Sequence, residues 1–236
     1  MAQCGAALVR IGAWATTTAL PAALHSAAGI AFDGYIYITG GAGTTNTPVA
    51  TAYRAAIHAD GTLGNWQSTA ALPQATAYHQ MAIFGPYVYV VGGDNGTVTP
   101  SLNTSSGTET GNVYLAQIDP RDGTLSAAGW TSASAMGKAR SKHTTLAAGG
   151  ALLTSSGVYG GGLGSSENRY ANLNADGTLA SWNGATGTNT ISGVIGVSIY
   201  NEAAVAYSDA SGVGHVVLLG GADRATGKAL AFAVYY

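Results

Sequence analysis

A short phrase that recurs three times constrains the fold of this chain more than any other feature. Asp-Gly-Thr-Leu occurs at 60–63, 122–125 and 176–179, and a tryptophan follows each copy. Each copy comes after an apolar run that ends in two glycines, and a fourth such glycine pair has no following Asp-Gly phrase. A phrase that returns at intervals of this size indicates a repeat architecture, in which each copy belongs to one supersecondary unit. The repeated positions are Gly40, Gly41, Gly92, Gly93, Gly160, Gly161, Gly220, Gly221, Asp60, Asp122, Asp176, Trp14, Trp66, Trp130 and Trp182.

The first unit predicts four short strands, at 25–32, 35–39, 49–58 and 62–69. In the second of these, tyrosines alternate with isoleucines, a two-residue period of aromatic and β-branched side chains that is typical of a strand. Asp-Gly pairs predict the tight turns, because glycine adopts a positive φ without steric cost. The tryptophan after the second Asp-Gly pair offers a large apolar face that would fill the space between neighbouring sheets.

The same division extends over residues 1–236, so the sequence predicts an all-β fold in one domain. The four units are expected at 18–69, 70–133, 134–184 and 185–236. The fourth unit lacks a tryptophan-bearing last strand, and the segment at 6–17 is a candidate for it, since Trp14 precedes Trp66 by 52 residues and two Leu-Pro pairs repeat that spacing. This N-terminal strand is predicted to join the last unit, which would close a ring and remove its exposed edges.

The ordered recurrence resembles the kelch-repeat β-propeller. The resemblance is carried by the apolar runs with double glycines, by Asn112-Val113-Tyr114 on a third strand and by the tryptophan on the fourth, and it covers nearly the whole chain. It implies four-stranded antiparallel blades around a central axis. Kelch propellers usually have more blades than the four units of this chain. Three arrangements therefore stay open: a four-bladed ring, a larger ring completed by several chains, and a portion of a longer protein.

Composition argues against a nucleic-acid-binding surface. Charged residues make up 8% of the chain, the net charge is −2 and the nine cationic residues are scattered, whereas phosphate binding needs clustered Lys and Arg. The closest cationic cluster, Lys138, Arg140 and Lys142, is interpreted as a solvated loop. Hydrophobic residues reach 47%, which is enough to form a core. No run approaches the roughly 18 apolar residues of a membrane span.

The chain carries one cysteine, Cys4, so an intrachain disulfide is impossible. Residues 1–10 lack the charged start and apolar stretch of a signal peptide. Three origins fit these observations: a mature exported chain, export by another route, or synthesis in the cytosol followed by release within a particle. The expected location is extracellular or virion-associated.

Three histidines, His25, His79 and His143, come just before the first strand of a unit, and a ring would bring them toward one axis. Three imidazoles can bind zinc. Because the fourth unit has no matching histidine, hydrogen bonds to neighbouring loops are the favoured interpretation, and neither a metal nor another cofactor is predicted. The galactose oxidase group of kelch-type propellers uses copper, but no such ligand set is recognised here.

The repeated aspartates are assigned to turns rather than to catalysis. Glycoside hydrolysis needs two carboxylates that face one cleft, whereas equivalent turns of successive blades would spread around a rim. Asp60 and Asp176 precede their tryptophans by six residues with glycine directly after the acid, which differs from the Asp box of sialidases. No catalytic residue is therefore predicted.

Two long loops, 42–51 and 94–111, are rich in Thr and Ser and almost uncharged. Asn95 and Asn103 match the glycan-acceptor pattern. Binding residues favour loops on a rigid scaffold, so these loops are interpreted either as a glycosylated or partner-binding surface or as ordinary surface loops.

The leading functional hypothesis is a non-enzymatic structural or adhesive module of an extracellular assembly, such as a fibre, a surface layer or a phage tail. Its partners would be further copies of itself or other surface proteins, and the terminal strand would insert into a neighbouring subunit. The alternative is a carbohydrate-binding, lectin-like propeller whose tyrosines stack on sugars. A kelch-type oxidase or sugar isomerase is the third hypothesis.

Overall fold

The computed structural model describes residues 13–98, 107–160, 163–164, 167–184, 197–208, 211 and 214–235. The regular elements in this part of the chain are all β-strands, which confirms the all-β prediction. The strands are β1 (Ala28–Phe32), β2 (Tyr35–Thr39), β3 (Ala52–Ala56), β4 (Gln67–Ser68), β5 (Gln80–Phe84), β6 (Tyr87–Val91), β7 (Val113–Gln117), β8 (Thr131–Ser132), β9 (Thr144–Ala148), β10 (Ala151–Ser155), β11 (Val158–Tyr159), β12 (Leu163–Gly164), β13 (Asn168–Asn172), β14 (Asn183–Gly184), β15 (Ile199–Tyr200), β16 (Ala203–Ser208), β17 (Gly214–Leu219), β18 (Ala222–Asp223) and β19 (Ala233–Tyr235).

Four antiparallel sheets follow one another along the chain, and each is built from strands of one unit. The first sheet contains β1 to β4 and the second contains β5 to β8, both in sequence order. The third contains β9, β10, β13 and β14, with the small hairpin β11–β12 inserted between its second and third strands. The fourth contains β16, β17 and β19, while β15 pairs separately with β18.

The first turn shows how local sequence sets the register of these sheets. Phe32 pairs with Tyr35, so the connection is the two-residue turn Asp33-Gly34, with φ of 45° and 80°. Two positive φ values match the type I′ turn, whose twist suits antiparallel neighbours. The predicted turn is therefore confirmed, and it places alternate residues of β2 on opposite faces of the sheet.

Consecutive sheets pack face to face through apolar side chains. The first strand of each sheet lies against the first strand of the next: β1 against β5, β5 against β9, and β9 against β16. In the second sheet, Val88 and Val90 belong to the core shared with the first sheet, and Tyr89 and Val91 belong to the core shared with the third. Because successive side chains of a strand point to opposite faces, this one strand contributes to the cores on both sides of its sheet. We call each contact between consecutive sheets a joint, and number the joints first to third.

A belt of backbone hydrogen bonds links the units where their first strands approach. One residue of each unit, two positions before the first strand, has a left-handed backbone: Ser26, Tyr78, Lys142 and Asn201, with φ of 53–55°. The N–H of Tyr78 donates to Ser26 O (2.9 Å), that of Lys142 to Tyr78 O (3.0 Å) and that of Asn201 to Lys142 O (2.9 Å). No fourth bond of this kind joins Ser26 and Asn201 among the described residues. The belt is therefore open at one place.

The third unit corrects one part of the predicted repeat. In the first, second and fourth units, the predicted glycine pair follows the second strand with φ near 60° and then near 100°. In the third unit, the residues after β10 with this backbone are Ser156 (φ 52°) and Gly157 (φ 91°). Gly160 lies farther along, and Gly161 is outside the described residues. The assignment of Gly160-Gly161 as the third pair was wrong, because Ser156 and Gly157 hold the two left-handed positions that follow β10.

The N-terminal segment is described from residue 13, and residues 13–17 form no strand. Trp14 is 100% exposed. Thr17 and Thr18 contact the first unit: Leu63 N donates to Thr17 Oγ1 (2.8 Å), and Thr18 Oγ1 donates to Leu63 O (2.7 Å). Most of the predicted closing strand, 6–17, and Cys4 lie outside the described residues.

Candidate functional site

The repeated Asp-Gly-Thr phrase forms the same side-chain-stabilised turn in three units. In each copy the aspartate Oδ1 accepts hydrogen bonds from the threonine N–H (2.9–3.0 Å) and hydroxyl (2.6–2.7 Å) two residues later. These bonds lower the pKa of the carboxyl groups of Asp60, Asp122 and Asp176. All three aspartates are exposed, so their interactions are those of turn residues.

Two of these turns dock onto a tyrosine pair of the preceding sheet. A Cβ built on Gly123 would lie 2.6 Å from the ring of Tyr35, and one on Gly177 would lie 2.4 Å from the ring of Tyr87. Next to each ring, a second tyrosine donates to the glycine carbonyl: Tyr37 to Gly123 O (2.8 Å) and Tyr89 to Gly177 O (2.6 Å). Glycine is required there because a side chain would collide with the ring.

The docking tyrosines are buried hydroxyl donors. Desolvation by burial, the largest cause, raises the pKa of Tyr37 and of Tyr89 to about 12. Both hydroxyls therefore stay protonated and act as donors at physiological pH. Their role is to seat a turn of the next unit on the sheet, once at the first joint and once at the second.

The tryptophans bind to the linker that enters their own unit. The indole Nε1 of Trp66 donates to Thr18 O (3.0 Å), that of Trp130 to Ala70 O (2.8 Å) and that of Trp182 to Ser134 O (2.8 Å). Trp130 and Trp182 also pack against the cores of the first and second joints, as their apolar faces predict. The tryptophan thus fastens the last strand of a unit to the start of that unit.

A buried polar residue sits beneath the left-handed pair at each joint. His79 lies under Gly40 and His143 lies under Gly92, because a Cβ on either glycine would be 2.7 Å from the imidazole Cε1. At the third joint, the hydroxyl of Ser156 donates to the carboxylate of Glu202. His79, His143 and Glu202 each follow directly after a left-handed belt residue, so they occupy equivalent places in their units. Sequence reasoning missed Glu202, because its residue type differs from histidine.

The pKa values of these groups move in the directions that favour neutral forms. Burial lowers the pKa of His79 to about 4, and burial together with the nearby Arg140 guanidinium lowers that of His143 well below its usual range. Burial raises the pKa of Glu202 to about 7, although the hydrogen bond from Ser156 opposes the shift. Desolvation disfavours the charged form of each of the three groups.

The histidines do not assemble into a metal centre. Among the described residues, no group of three or more His, Cys, Asp and Glu side chains is placed to hold a metal ion. The position in the first unit that matches His79 and His143 is Ala27, not His25, which lies two residues earlier and bonds to Ser26 Oγ and Asn46 Oδ1 (3.1 Å each). The assumed equivalence of His25 with the other two was therefore wrong by two positions.

The cationic cluster at 138–142 is not a solvated loop, which corrects the sequence interpretation. Arg140 is fully buried, and Nη1 donates to Ser156 O (3.0 Å) and to Glu167 O (3.1 Å). Lys142 is also buried, with its ammonium 4.7 Å from the centre of the Tyr78 ring. Lys138 is half-buried and pairs with Glu167 (2.8 Å). Lys142 thus reaches across the second joint to Tyr78, whereas the side chains of Lys138 and Arg140 bind residues of their own unit.

The two polar loops pack on one another where they are described. Val98 is buried with Ala42 and Ala77, and its N–H donates to Asn46 O in the loop of the first unit (2.9 Å). Asp94 Oδ1 accepts from Gly96 N (3.0 Å) and Thr108 Oγ1 (2.7 Å). Asn95 is exposed beside this turn, and Asn103 lies outside the described residues. Asn95 therefore stays a candidate glycan acceptor in an accessible position.

No protein-family model matches this chain, and no curated protein matches it in sequence. No helix in the described part of the chain is long and apolar enough to cross a membrane. The functional argument therefore rests on the geometry of the joints.

The elements of the joint are unmatched at the two ends of the series. Gly61 has the same backbone as Gly123 and Gly177 (φ +84°), but no heavy atom lies within 4 Å of a Cβ built on it. On the fourth sheet, Val205 and Tyr207 are 52% and 51% exposed. They correspond in register to Ile30 and Phe32, which pack into the core of the first joint. In the described part of the chain, one end thus presents a turn without a docking partner, and the other presents a partly exposed sheet face.

Proposed function

We propose that the four units are blades of a kelch-like β-propeller that serves as a non-enzymatic structural or adhesive module of an extracellular assembly. The observation that carries this proposal is the joint itself, which occurs in full at the first and second positions, while the turn at Gly61 and the exposed face of the fourth sheet have no partner among the described residues. The belt of three backbone bonds between first strands supports a common axis. Repeated units that stack only on their neighbours suit a scaffold.

The proposed closure uses an N-terminal strand, from the same chain or from a second copy, as the missing last strand of the fourth blade. The fourth sheet has three strands, whereas the others have four. In each of the first three units, the tryptophan directly before the last strand binds a linker carbonyl, and Trp14 is the remaining tryptophan, with its side chain fully exposed. Pairing of this segment with β19 would cover a sheet edge that otherwise invites intermolecular pairing.

The low charge of the chain supports a role in assembly. A net charge of −2 and a charged fraction of 8% provide little electrostatic repulsion between copies. Together with the Thr-rich loops, this composition supports placement in a fibre, a surface layer or a virion, with other copies or surface proteins as partners.

Electron microscopy of the purified protein tests the proposal. We expect discs or rings with a central axis, alone or stacked in regular filaments. A particle without a central axis would contradict the propeller. A disc that turns over sugars or alcohols in an activity screen would contradict the non-enzymatic role.

Carbohydrate binding is the second candidate, and one cleft favours it. The cleft between the first and second sheets is lined by Asn65, Gln67, Asp122 and Arg54, which are hydrogen-bonding groups of the kind that fix sugars. Tyr35 borders it but already covers Gly123 and stacks with Arg54 at 5.3 Å, so its ring is largely occupied. A glycan array should give specific hits that Asn65→Ala and Gln67→Ala abolish if this candidate is right, and no hits would exclude the glycans tested.

A further inference from the structure

One face of the fourth sheet is an apolar surface without a covering sheet. Val205, Tyr207 and Leu219 are 52%, 51% and 40% exposed. Val205 pairs with Val217 and Tyr207 with His215, whose ring stacks on the Tyr207 ring at 5.1 Å. We call this the trailing face of the fourth sheet.

The first joint shows what covers an equivalent face. The trailing face of the first sheet contains Ala28, Ile30, Phe32, Tyr35 and Tyr37, and it packs against Met81, Ile83, Val88, Val90 and Tyr114 of the second sheet. His215 occupies the place of Tyr35 when the two second strands are aligned on Gly40 and Gly220. By this alignment, the ring pair of His215 and Tyr207 lies where an Asp-Gly turn should dock.

The opposite face of the first sheet has the matching shape. Its residues Ile36 and Ile38 pair with Ala55 and Tyr53, just as Val88 and Val90 of the second sheet pair with Ala116 and Tyr114. Val88 and Val90 are buried at 1% and 0% exposure, whereas Ile36, Ile38 and Tyr53 are only half-buried. Gly61, next to this face, has an empty space above it. We call this the leading face of the first sheet.

Among the described residues, neither face packs against another sheet of the same chain. In the described residues, β1 packs against β5, β5 against β9 and β9 against β16. The strands β1 and β16 do not pack against each other in this way. The belt is open between the same two units, at Ser26 and Asn201. Thr17 and Thr18 bond to Leu63, so the described N-terminal residues stay with the unit that carries the leading face.

We infer that the trailing face of the fourth sheet binds the leading face of the first sheet of a second copy of this chain, with His215 and Tyr207 seated on the turn at Asp60-Gly61. The contact is head-to-tail, so it generates a ring if the rotation closes and a filament if it does not. Two chains joined at both ends would make eight units, which lies within the blade numbers of known propellers, roughly four to eight. This inference rests on the proposed propeller function and names its partner.

Cross-linking between two single-cysteine proteins tests the inference. In a Cys4→Ser background, one protein carries Tyr207→Cys and the other Ile36→Cys, and the two are mixed and treated with a short bis-maleimide. We expect a cross-linked dimer in the mixture, in excess over each protein alone. A double variant that cross-links only within its own chain at all concentrations would overturn the inference, and a mixture without a dimer would do the same.

A charge placed on the trailing face supplies the second measurement. Light scattering should show particles of two or more chains for the parent protein, and Val205→Glu should shift them to single chains with unchanged circular dichroism. Tyr170→Glu is the control, because Tyr170 is 42% exposed but lies on β13 of the third sheet. A parent protein that stays a single chain at high concentration overturns the inference. If microscopy nevertheless shows a disc, the propeller proposal survives without it, so the two failures are distinguishable.

Discussion

The second and third joints share one backbone hydrogen bond, but different side chains fill the space next to it. At the second joint, Gly93 N donates to Arg140 O (2.8 Å), and the preceding Gly92 leaves room for the imidazole of His143. At the third joint, Gly157 N donates to Ile199 O (3.1 Å), and the preceding Ser156 fills the room and binds Glu202. The two joints share the backbone hydrogen bond but differ in the buried pair, so we expect one pair to replace the other only if both of its members change together.

The largest expected effect comes from placing the third-joint serine in the second joint. Gly92→Ser adds a Cβ 2.7 Å from both Arg140 O and His143 Cε1, at a φ of +61°. Overpacking costs about 1–3 kcal/mol and the left-handed backbone about 1–2 kcal/mol, so we expect a loss of about 3 kcal/mol in the free energy of unfolding. Urea denaturation measures it.

The double variant Gly92→Ser/His143→Glu recreates the pair of the third joint and should recover part of this loss. We expect a coupling energy of about 1–2 kcal/mol, as for residues in direct contact. Gly34→Ala is the control, since Gly34 has φ +80° with open space around it, and it should lose only about 1 kcal/mol. Strictly additive single effects in the double variant would show that the pairs are not interchangeable.

Opposite pH dependences of the two joints are the next effect in size. The folded pKa of Glu202, about 7, lies above its usual 4.5, so the folded state holds a proton that the unfolded state releases. Stability from this group is full below pH 4.5 and is lost as the pH rises through about 7, on the order of 3 kcal/mol in total. Glu202→Gln should therefore gain stability relative to the parent as the pH rises from 4.5 to 8, measured by denaturation at each pH.

At the joints that contain histidine, the free energy of unfolding changes with pH in the opposite direction. The pKa of His79 is lowered from 6.5 to about 4, so stability from this group is present above pH 6.5 and is lost as the pH falls toward 4. The difference in unfolding free energy by which His79→Gln is less stable than the parent should therefore shrink as the pH falls. The stability of Glu202→Gln relative to the parent should instead grow as the pH rises. Parallel pH profiles for the two variants would refute the assignment of opposite charge states to the joints.

The sequence predicted strands and turns well. It predicted poorly where one unit has a different residue type from the others at the same position of the joint. The strand at Tyr35–Thr39 and the turn at Asp33-Gly34 were readable because alternation and an Asp-Gly pair are local signals. Ser156 was missed because only paired glycines were matched between the units, and the nearby Gly160-Gly161 offered a false match. Glu202 was missed because a carboxyl group replaces an imidazole, and only the positive φ of the preceding Asn201 marks the place. The hydrogen bonds of the tryptophan indoles depend on long-range contacts that spacing alone does not reveal.

The smallest expected effect on stability comes from one hydroxyl group, which is present beside the buried histidine of the first joint and absent beside that of the second. Thr39 Oγ1 lies 2.9 Å from His79 Nε2, whereas Val91 takes the place of Thr39 beside His143 and offers that ring no side-chain hydroxyl. A hydrogen bond contributes about 1 kcal/mol, and a buried group left without a partner costs about 1–3 kcal/mol. Thr39→Val should therefore destabilise the protein by about 1–2 kcal/mol, while the isosteric Val91→Thr should be neutral or stabilise it by up to about 1 kcal/mol. Thermal and urea unfolding of both variants measure the difference, and a Val91→Thr protein that loses as much stability as Thr39→Val would mean that the His143 ring is not oriented like that of His79.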